Sequence, residues 1–261
     1  MKIACLQMNM RFCCPEENFR HAAQMIAQAM TQAPDVLVLP ETWNTGFFPR
    51  ENLQALCDTE GTQVKATIGA LAKAFHVNIV AGSVSDIREG KVFNTAYIFD
   101  RTGACIATYD KTHLFTPMGE DQFYEKGSHL CTFLLDGVKC GIAICYDIRF
   151  PELIRSLALQ QLDMLFVVSQ WPQTRMFHFR TLTAARAIEN QMFVVRCNSC
   201  GTAGETVYGG ISAVLNPWGE PLALAGEQEE ILYADCDLSL LTQIRGTIPV
   251  FRDREPELYQ V

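Results

Sequence analysis

The chain has 261 residues, of which 49% are hydrophobic and 19% charged, proportions that are ordinary for a globular protein with a large core. Its 21 basic and 29 acidic residues give a net charge of -8. Because no stretch is rich in Lys or Arg, the sequence predicts that the protein does not bind nucleic acid.

The predicted elements alternate between strands and helices. Short apolar runs typical of strands occupy 2–8, 35–40, 77–84, 93–100, 104–110, 131–136, 139–145, 163–169, 192–197, 211–216 and 231–237. Apolar residues spaced three and four apart predict amphipathic helices at about 15–30, 64–75, 151–158 and 176–190. This order predicts an α/β sandwich with helices outside the sheets. No repeat or linker divides the chain, so we predict a single domain over 1–261.

Three observations bear on location and metals. The N-terminus, MKIACLQMNMRF, lacks the features of a signal peptide, and no apolar run is long enough to cross a bilayer. Eleven irregularly spaced cysteines are typical of reduced thiols, so we predict a cytoplasmic protein that does not enter a membrane. The segment CNSC (197–200) has the spacing of half a zinc site, but no second ligand pair accompanies it, which predicts that no metal is bound. A redox role for CNSC stays open.

Three predicted strands end in residues that could perform chemistry together. Glu41 follows DVLVLP, Lys111 follows ACIATYD, and Cys145 ends KCGIAIC just before a turn into a helix. Active sites of α/β folds collect at the carboxyl ends of strands. A cysteine thiolate is a strong nucleophile, a carboxylate can take and return its proton, and an ammonium can stabilise an oxyanion. The backbone N–H of Tyr146 is a second candidate oxyanion donor.

Each of these residues also has an ordinary structural interpretation. Cysteine is often a buried core residue, so position alone favours a core thiol at Cys145. Glu41 could be a solvated loop residue, and Lys111 could form a strand-end ion pair of little energetic weight.

The surrounding strings resemble the signature regions of the nitrilase superfamily of carbon–nitrogen hydrolases: LPETWNTGF (39–47), YDKTHLF (109–115) and CYDIRFPEL (145–153). The likeness continues through SQWPQTR, ARAIENQMFVV, LNPWGE and DREPELY, over essentially the whole chain. It implies a four-layer αββα sandwich of the nitrilase type, paired as a homodimer through its outer helices. It also implies hydrolysis through a thioester, without metal or cofactor, with Glu41 as general base, Lys111 as oxyanion stabiliser and Cys145 as nucleophile.

Many members of the superfamily carry a second glutamate in the loop after the lysine. In TPMGEDQFYEKG (116–127) the candidates are Glu120 and Glu125, and the resemblance to bacterial relatives favours Glu120. Either could instead be a solvated loop carboxylate.

Tyr146 and Asp147 follow the cysteine where true nitrilases generally have Trp-Glu, and the string resembles the branch that contains ω-amidases. The resemblance therefore predicts a small-molecule substrate, the terminal amide of a 2-oxoglutaramate-type keto acid. Arg149 could bind the substrate carboxylate or form an ion pair with Asp147 or Glu152. Trp171 is the predicted wall of the substrate pocket.

Phe47 and Phe48 are further candidates for the pocket wall, although such aromatic residues could also be loop packing. The loop 197–212 departs from the relatives, with Ser199 where many carry arginine, so it could alter substrate choice. The alternatives are a deaminated-glutathione amidase, a carbamoyl amino acid hydrolase, an acyltransferase and a non-catalytic protein of the same fold.

Overall fold

The computed structural model describes residues 1–47 and 49–259. The strands in these ranges are β1 (Lys2–Gln7), β2 (Val36–Val38), β3 (Asp58–Thr59), β4 (Asn78–Arg88), β5 (Lys91–Phe99), β6 (Cys105–Asp110), β7 (Thr132–Leu135), β8 (Val138–Ile144), β9 (Met164–Ser169), β10 (Phe193–Asn198), β11 (Cys200–Ala203), β12 (Thr206–Gly209), β13 (Ala213–Leu215), β14 (Pro221–Leu224) and β15 (Glu230–Asp235). The helices are α1 (Pro15–Ala29), α2 (Leu53–Leu56), α3 (Thr62–Val64), α4 (Ala70–Phe75), α5 (Pro151–Ala158), α6 (Met176–Asn190) and α7 (Ser239–Thr247). A π-helical turn (Lys65–Gly69) joins α3 and α4 into one continuous helix.

Two mixed sheets with a common plan form the centre of the molecule. The first has the order β15-β1-β2-β4-β5-β6, with β3 beside β4, and the second has the order β14-β13-β10-β9-β8-β7. In each sheet three neighbouring strands are parallel, namely β1, β2 and β4 in the first and β8, β9 and β10 in the second. Antiparallel strands flank them, and β11 and β12 form a separate hairpin.

Side chains point alternately to the two faces of each strand, so both sheets bury both faces, and the molecule has two layers of sheet between two layers of helix. In β1, Ile3 and Cys5 belong to the core that includes the second sheet, whereas Ala4 and Leu6 pack in the core under α1. Successive side chains of a strand point to opposite faces, so each sheet is covered on both faces. Helices α1 and α4 cover the first sheet, and α5 and α6 cover the second.

The outer helices form where the apolar periodicity predicts them. Pro15 and Pro151 occupy the first turns of α1 and α5, where a proline costs no hydrogen bond. Helix α6 buries Phe179 and Ala187 against the second sheet. No helix within residues 1–47 and 49–259 is long and apolar enough to span a membrane.

The carboxyl ends of four strands lie together at one edge of the two packed sheets, which we call the seam. Strands β2 and β6 of the first sheet and β8 and β9 of the second end there, and the segments that follow them supply the polar residues described next. This is the edge at which α/β folds place their ligands.

Candidate active site

Four sequence-predicted residues lie together at this seam. Glu41 follows β2, Lys111 directly follows β6, Glu120 lies in a short 3₁₀ turn (Glu120–Gln122), and Cys145 directly follows β8. Glu41, Lys111 and Glu120 have no exposed surface, and Cys145 is 9% exposed. Glu125, the other candidate for the second glutamate, is exposed.

Lys111 is held between two carboxylates. Its Nζ lies 2.8 Å from Oε1 of Glu41 and 3.0 and 2.9 Å from the two oxygens of Glu120. Burial alone would lower the pKa of Lys111, but Glu120 and Glu41 outweigh it and hold that pKa well above its ordinary value. Burial raises the pKa of Glu120, although the Lys111 ammonium opposes that shift. The ammonium is therefore a fixed charge beside the cysteine.

Asn94, a residue of β5, links the two carboxylates. Its Nδ2 donates to Oε1 of Glu41 at 2.9 Å and to Oε1 of Glu120 at 3.3 Å. The backbone N–H of Phe115 donates to the other oxygen of Glu120. Asn94 was not predicted from the sequence as a site residue; the signal for it is a polar residue at a buried position of an apolar strand.

Gln170 fixes Glu41 from the second sheet. Its backbone N–H donates to Oε2 of Glu41 at 2.8 Å, and its Nε2 donates to the Glu41 carbonyl at 2.7 Å and to Thr42 Oγ1 at 2.8 Å. Its Oε1 accepts from the backbone N–H of Phe47 at 2.9 Å. Gln170 follows β9, whereas Glu41 follows β2, so this residue ties the two sheets together at the site. Gln170, too, was not predicted from the sequence as a site residue.

Cys145 has an unusual backbone conformation. Its φ of 47° lies in the left-handed region, which is sterically unfavourable for a residue with a Cβ atom. Burial raises the pKa of the Cys145 thiol well above its ordinary value, Glu41 raises it further, and Lys111 opposes this shift. The resting thiol is therefore protonated at neutral pH, and forming the thiolate requires a base in direct reach.

Asp147 anchors the turn that carries Cys145. One carboxylate oxygen accepts from the Ile144 backbone N–H at 3.0 Å and from the Tyr109 hydroxyl at 2.8 Å. The other accepts from the backbone N–H of His113 at 3.0 Å and lies 2.9 Å from its Nδ1. Asp147 thus joins the turn after β8 to the segments around Lys111, and His113 serves as one of its structural partners.

Cys145 lines a pocket that opens to solvent. Its lining includes Tyr146, Arg149 and Trp171, the three residues predicted to contact substrate, and also Phe47. Trp171 is nearly buried and its Nε1 donates to the Arg175 carbonyl at 2.8 Å. Phe48, the other predicted wall residue, lies outside the described residues.

Two guanidinium groups line the same pocket. Arg149 Cζ lies 4.8 Å from the centre of the Trp171 ring, and its Nη2 lies 3.2 Å from His178 Nδ1. Within the described ranges Arg149 forms no ion pair with Asp147 or Glu152, the alternative left open by the sequence. Arg175, which sequence analysis did not single out, lies over the Phe115 ring at 5.1 Å.

The loop 197–212 reaches the pocket through its hairpin. Thr206 and Tyr208 of β12 line the pocket, whereas Ser199 is fully buried beside the Ser169 carbonyl. Burial raises the pKa of Tyr208, and Glu41 and Cys145 contribute to the shift because they lie nearby. Ser199 therefore does not line this pocket.

The CNSC cysteines are packed differently from Cys145. Cys197 is fully buried, and its Sγ lies 3.5 Å from the Leu6 carbonyl and 3.3 Å from the Val38 carbonyl in the first sheet. All 11 cysteines carry free thiols. In the part of the chain that the structure describes, no group of three His, Cys, Asp or Glu side chains is placed to hold a metal ion.

Comparison with known proteins agrees with this geometry. Residues 2–246 match the family model for carbon-nitrogen hydrolases. The chain belongs to this family. The carbon–nitrogen hydrolase is 42% identical over 257 residues to the 2-oxoglutaramate amidase of Bacillus subtilis, and the match covers 98% of this chain and 98% of the other. It is 34% identical over 258 residues to the omega-amidase NIT2 of Danio rerio, covering 94% of this chain and 91% of that protein.

Among solved structures, the hydrolase resembles XC1258 from Xanthomonas campestris, a CN-hydrolase superfamily protein with an arsenic adduct in its active site. The TM-score is 0.92 at 29% identity, covering 98% of this chain and 97% of the other. The predicted family and the predicted αββα sandwich are therefore confirmed. The protein is a hydrolase that acts on carbon–nitrogen bonds.

Proposed function

We propose that this carbon–nitrogen hydrolase is an ω-amidase, which hydrolyses the terminal amide of 2-oxoglutaramate or a similar keto-dicarboxylic acid monoamide to the acid and ammonia. The observation that carries the proposal is the buried Glu41–Lys111–Glu120 cluster beside Cys145, which lines a pocket that two arginines also line. The names of the Bacillus subtilis and Danio rerio relatives support the same substrate class.

In the first half of the reaction, Glu41 takes the proton of the Cys145 thiol and the sulfur attacks the amide carbon. The carbonyl oxygen becomes an oxyanion, which the Lys111 ammonium and the Tyr146 backbone N–H stabilise. The protonated Glu41 then gives its proton to the leaving nitrogen as the carbon–nitrogen bond breaks. Ammonia departs and a thioester remains on Cys145.

In the second half, Glu41 takes a proton from a water molecule, whose oxygen attacks the thioester carbon. The carbon–sulfur bond breaks, the thiolate regains the proton from Glu41, and the carboxylic acid leaves. Gln170 and Asn94 hold the two oxygens of Glu41 in place through both halves. Glu120 keeps the Lys111 ammonium charged and directed at the oxyanion.

Substrate recognition would use the cations of the pocket. A keto-acid amide carries one carboxylate, and a guanidinium can bind a carboxylate with two parallel hydrogen bonds. Arg149 is the proposed partner, because it lines the pocket and its guanidinium has no carboxylate partner among the described residues. Trp171 supports this guanidinium from its face.

We propose that the chain acts as one domain over 1–261, supported by the family match over residues 2–246. A homodimer through the outer helices is supported by Phe177 and Ile188, which are 78% and 52% exposed and lie on one face of α6. A cytoplasmic location is supported by the 11 free thiols.

The proposed function is tested by ammonia release from a panel of amides, with the Cys145→Ala protein as blank. The panel contains 2-oxoglutaramate, deaminated glutathione, glutamine, asparagine, an aliphatic amide, a carbamoyl amino acid and a nitrile. We expect a clear preference for 2-oxoglutaramate over glutamine, which differs from it only in carrying an ammonium in place of the keto oxygen. A preference for any other compound would contradict the ω-amidase assignment.

A further inference from the structure

The pocket beside Cys145 is lined by two arginines, of which Arg149 is the proposed partner of the substrate carboxylate. The other, Arg175, is half-buried. Among residues 1–47 and 49–259 no carboxylate forms an ion pair with its guanidinium. Charged side chains are seldom removed from water without a partner, so a half-buried cation that lines a pocket is available to a polar or anionic ligand.

The backbone of Arg175 is held firmly in the pocket wall. Arg175 ends a 3₁₀ turn (Gln173–Arg175), and its backbone N–H donates to the Pro172 carbonyl at 3.0 Å. Its own carbonyl accepts from Nε1 of Trp171 at 2.8 Å. Pro172 in turn forms a β-bridge with Tyr208, another residue that lines the pocket. The turn is therefore tied to two other parts of the wall, which limits where the guanidinium can lie.

The two guanidinium groups pack on different aromatic rings. Arg149 Cζ lies 4.8 Å from the centre of the Trp171 ring. Arg175 Cζ lies 5.1 Å from the centre of the Phe115 ring. The Phe115 ring meets the ring of Tyr146, the residue directly after the nucleophile, edge-on with 5.0 Å between their centres. Each arginine is thus supported separately, and the pocket offers two sets of N–H donors instead of one.

On the basis of the proposed ω-amidase function, we propose that Arg175 donates to the 2-oxo oxygen of the substrate while Arg149 binds its carboxylate. A 2-oxo acid presents three acceptor oxygens on adjacent carbons. One guanidinium binds two of them with a parallel pair of hydrogen bonds, which leaves the third for another donor. A guanidinium attracts the partial negative charge of a keto oxygen and repels an ammonium, so Arg175 also disfavours glutamine.

The test compares kcat/KM for 2-oxoglutaramate with kcat/KM for glutaramate, the monoamide of glutaric acid, which has the same chain and carboxylate but no 2-oxo oxygen. We expect the wild-type protein to prefer 2-oxoglutaramate at least about tenfold, the effect of one hydrogen bond to a charged donor. Arg175→Met should lose most of this preference and keep nearly the same kcat/KM for glutaramate. Its preference for 2-oxoglutaramate over glutamine should fall as well.

Two further variants separate recognition from structure. Arg149→Met should lower kcat/KM for 2-oxoglutaramate and for glutaramate alike, because both substrates carry the carboxylate. Arg20→Met removes an exposed arginine of α1 that does not line the pocket, and it should change neither value.

Three outcomes would overturn the role of Arg175. Equal hydrolysis of 2-oxoglutaramate and glutaramate by the wild-type protein would show that the 2-oxo oxygen is not recognised. Equal losses on both substrates in Arg175→Met would show that Arg175 only shapes the pocket. Both results would leave the ω-amidase function standing, since 2-oxoglutaramate is still hydrolysed. Hydrolysis of another amide of the panel, without turnover of 2-oxoglutaramate by the wild-type protein, would refute the ω-amidase function and the role of Arg175 together.

Discussion

The Lys111 ammonium lies 2.8 Å from the Glu41 carboxylate at a point where neither side chain has any exposed surface. Lys111 follows β6, the edge strand of the first sheet, and Glu41 follows β2, a central strand of the same sheet. The two residues are 70 positions apart in the chain. The pair is stable in the interior because Glu120 supplies a second carboxylate to Lys111, and Asn94 donates a hydrogen bond to each of the two carboxylates. The cluster is consequently stable only as a unit.

Removal of the cation should destabilise the whole protein. In Lys111→Met the Glu41 and Glu120 carboxylates stay buried without a counter-charge, and we expect the free energy of unfolding to fall by about 3–5 kcal/mol. Urea denaturation followed by circular dichroism measures it. In the control Lys111→Met/Glu41→Gln/Glu120→Gln no buried charge remains, and most of the stability should return. Equal stability of the single variant and the wild type would contradict this account.

Loss of the Cys145 sulfur should abolish turnover without unfolding the protein. Alanine has the same left-handed strain at this position as cysteine, so the substitution should not change the conformational energy of the backbone. We expect ammonia release from Cys145→Ala to fall at least about a thousandfold. The matched control is Cys140→Ala, which removes a buried thiol of β8 that does not line the pocket and should keep its turnover. Turnover retained by Cys145→Ala would rule out the nucleophile.

The pH dependence of kcat/KM should change when Asn94 is replaced by alanine. Burial already raises the pKa of Glu120, and Asn94→Ala removes a donor that stabilises its ionised form, so that pKa should rise further. A carboxylate whose pKa is raised becomes protonated at a higher pH as the solution is acidified. The acid limb of kcat/KM should therefore move to higher pH. Asn78→Ala, which removes a buried asparagine of β4 bonded to Asp35 and Asp136, should leave the limb in place.

Recognition of the substrate carboxylate should depend on the guanidinium geometry of Arg149. Arg149→Lys keeps the charge but loses the planar pair of donors, so KM for a keto-acid amide should rise about tenfold. KM for a neutral aliphatic amide of similar length should change much less. Steady-state kinetics on both substrates decides the matter, since equal effects would show that Arg149 serves the structure of the pocket only.

The sequence predicts the main elements because their signals are local. Near-continuous apolar runs indicate the parallel strands, and three- and four-residue spacing gives α6 its observed bounds, Met176–Asn190. Helix α7 was missed since it buries only Leu241 and Ile244, too few residues for a clear period. Strands β11, β12 and β14 were missed because they are short and lie at or beyond the edge of the sheets.

The chemistry of the site was predictable only in part, for a related reason. Glu41, Lys111 and Cys145 each follow a strand, which made them candidates, and the resemblance of the strings around them to the nitrilase signature regions assigned their roles. Asn94 and Gln170 act through partners that are 53 and 129 residues away from them in the chain, so only the packed sheets reveal their roles. Arg175 reaches the pocket from a 3₁₀ turn (Gln173–Arg175) that has no distinctive pattern.

The division of the site between two sheets has a further consequence. Glu41 and Lys111 are carried by the first sheet, and Cys145 and Gln170 by the second, so neither half of the fold holds a complete catalytic set. An intermediate in which both sheets keep their strands but slide apart would retain its circular dichroism and lose its turnover. Turnover therefore reports the packing of the two sheets against each other, which circular dichroism does not detect.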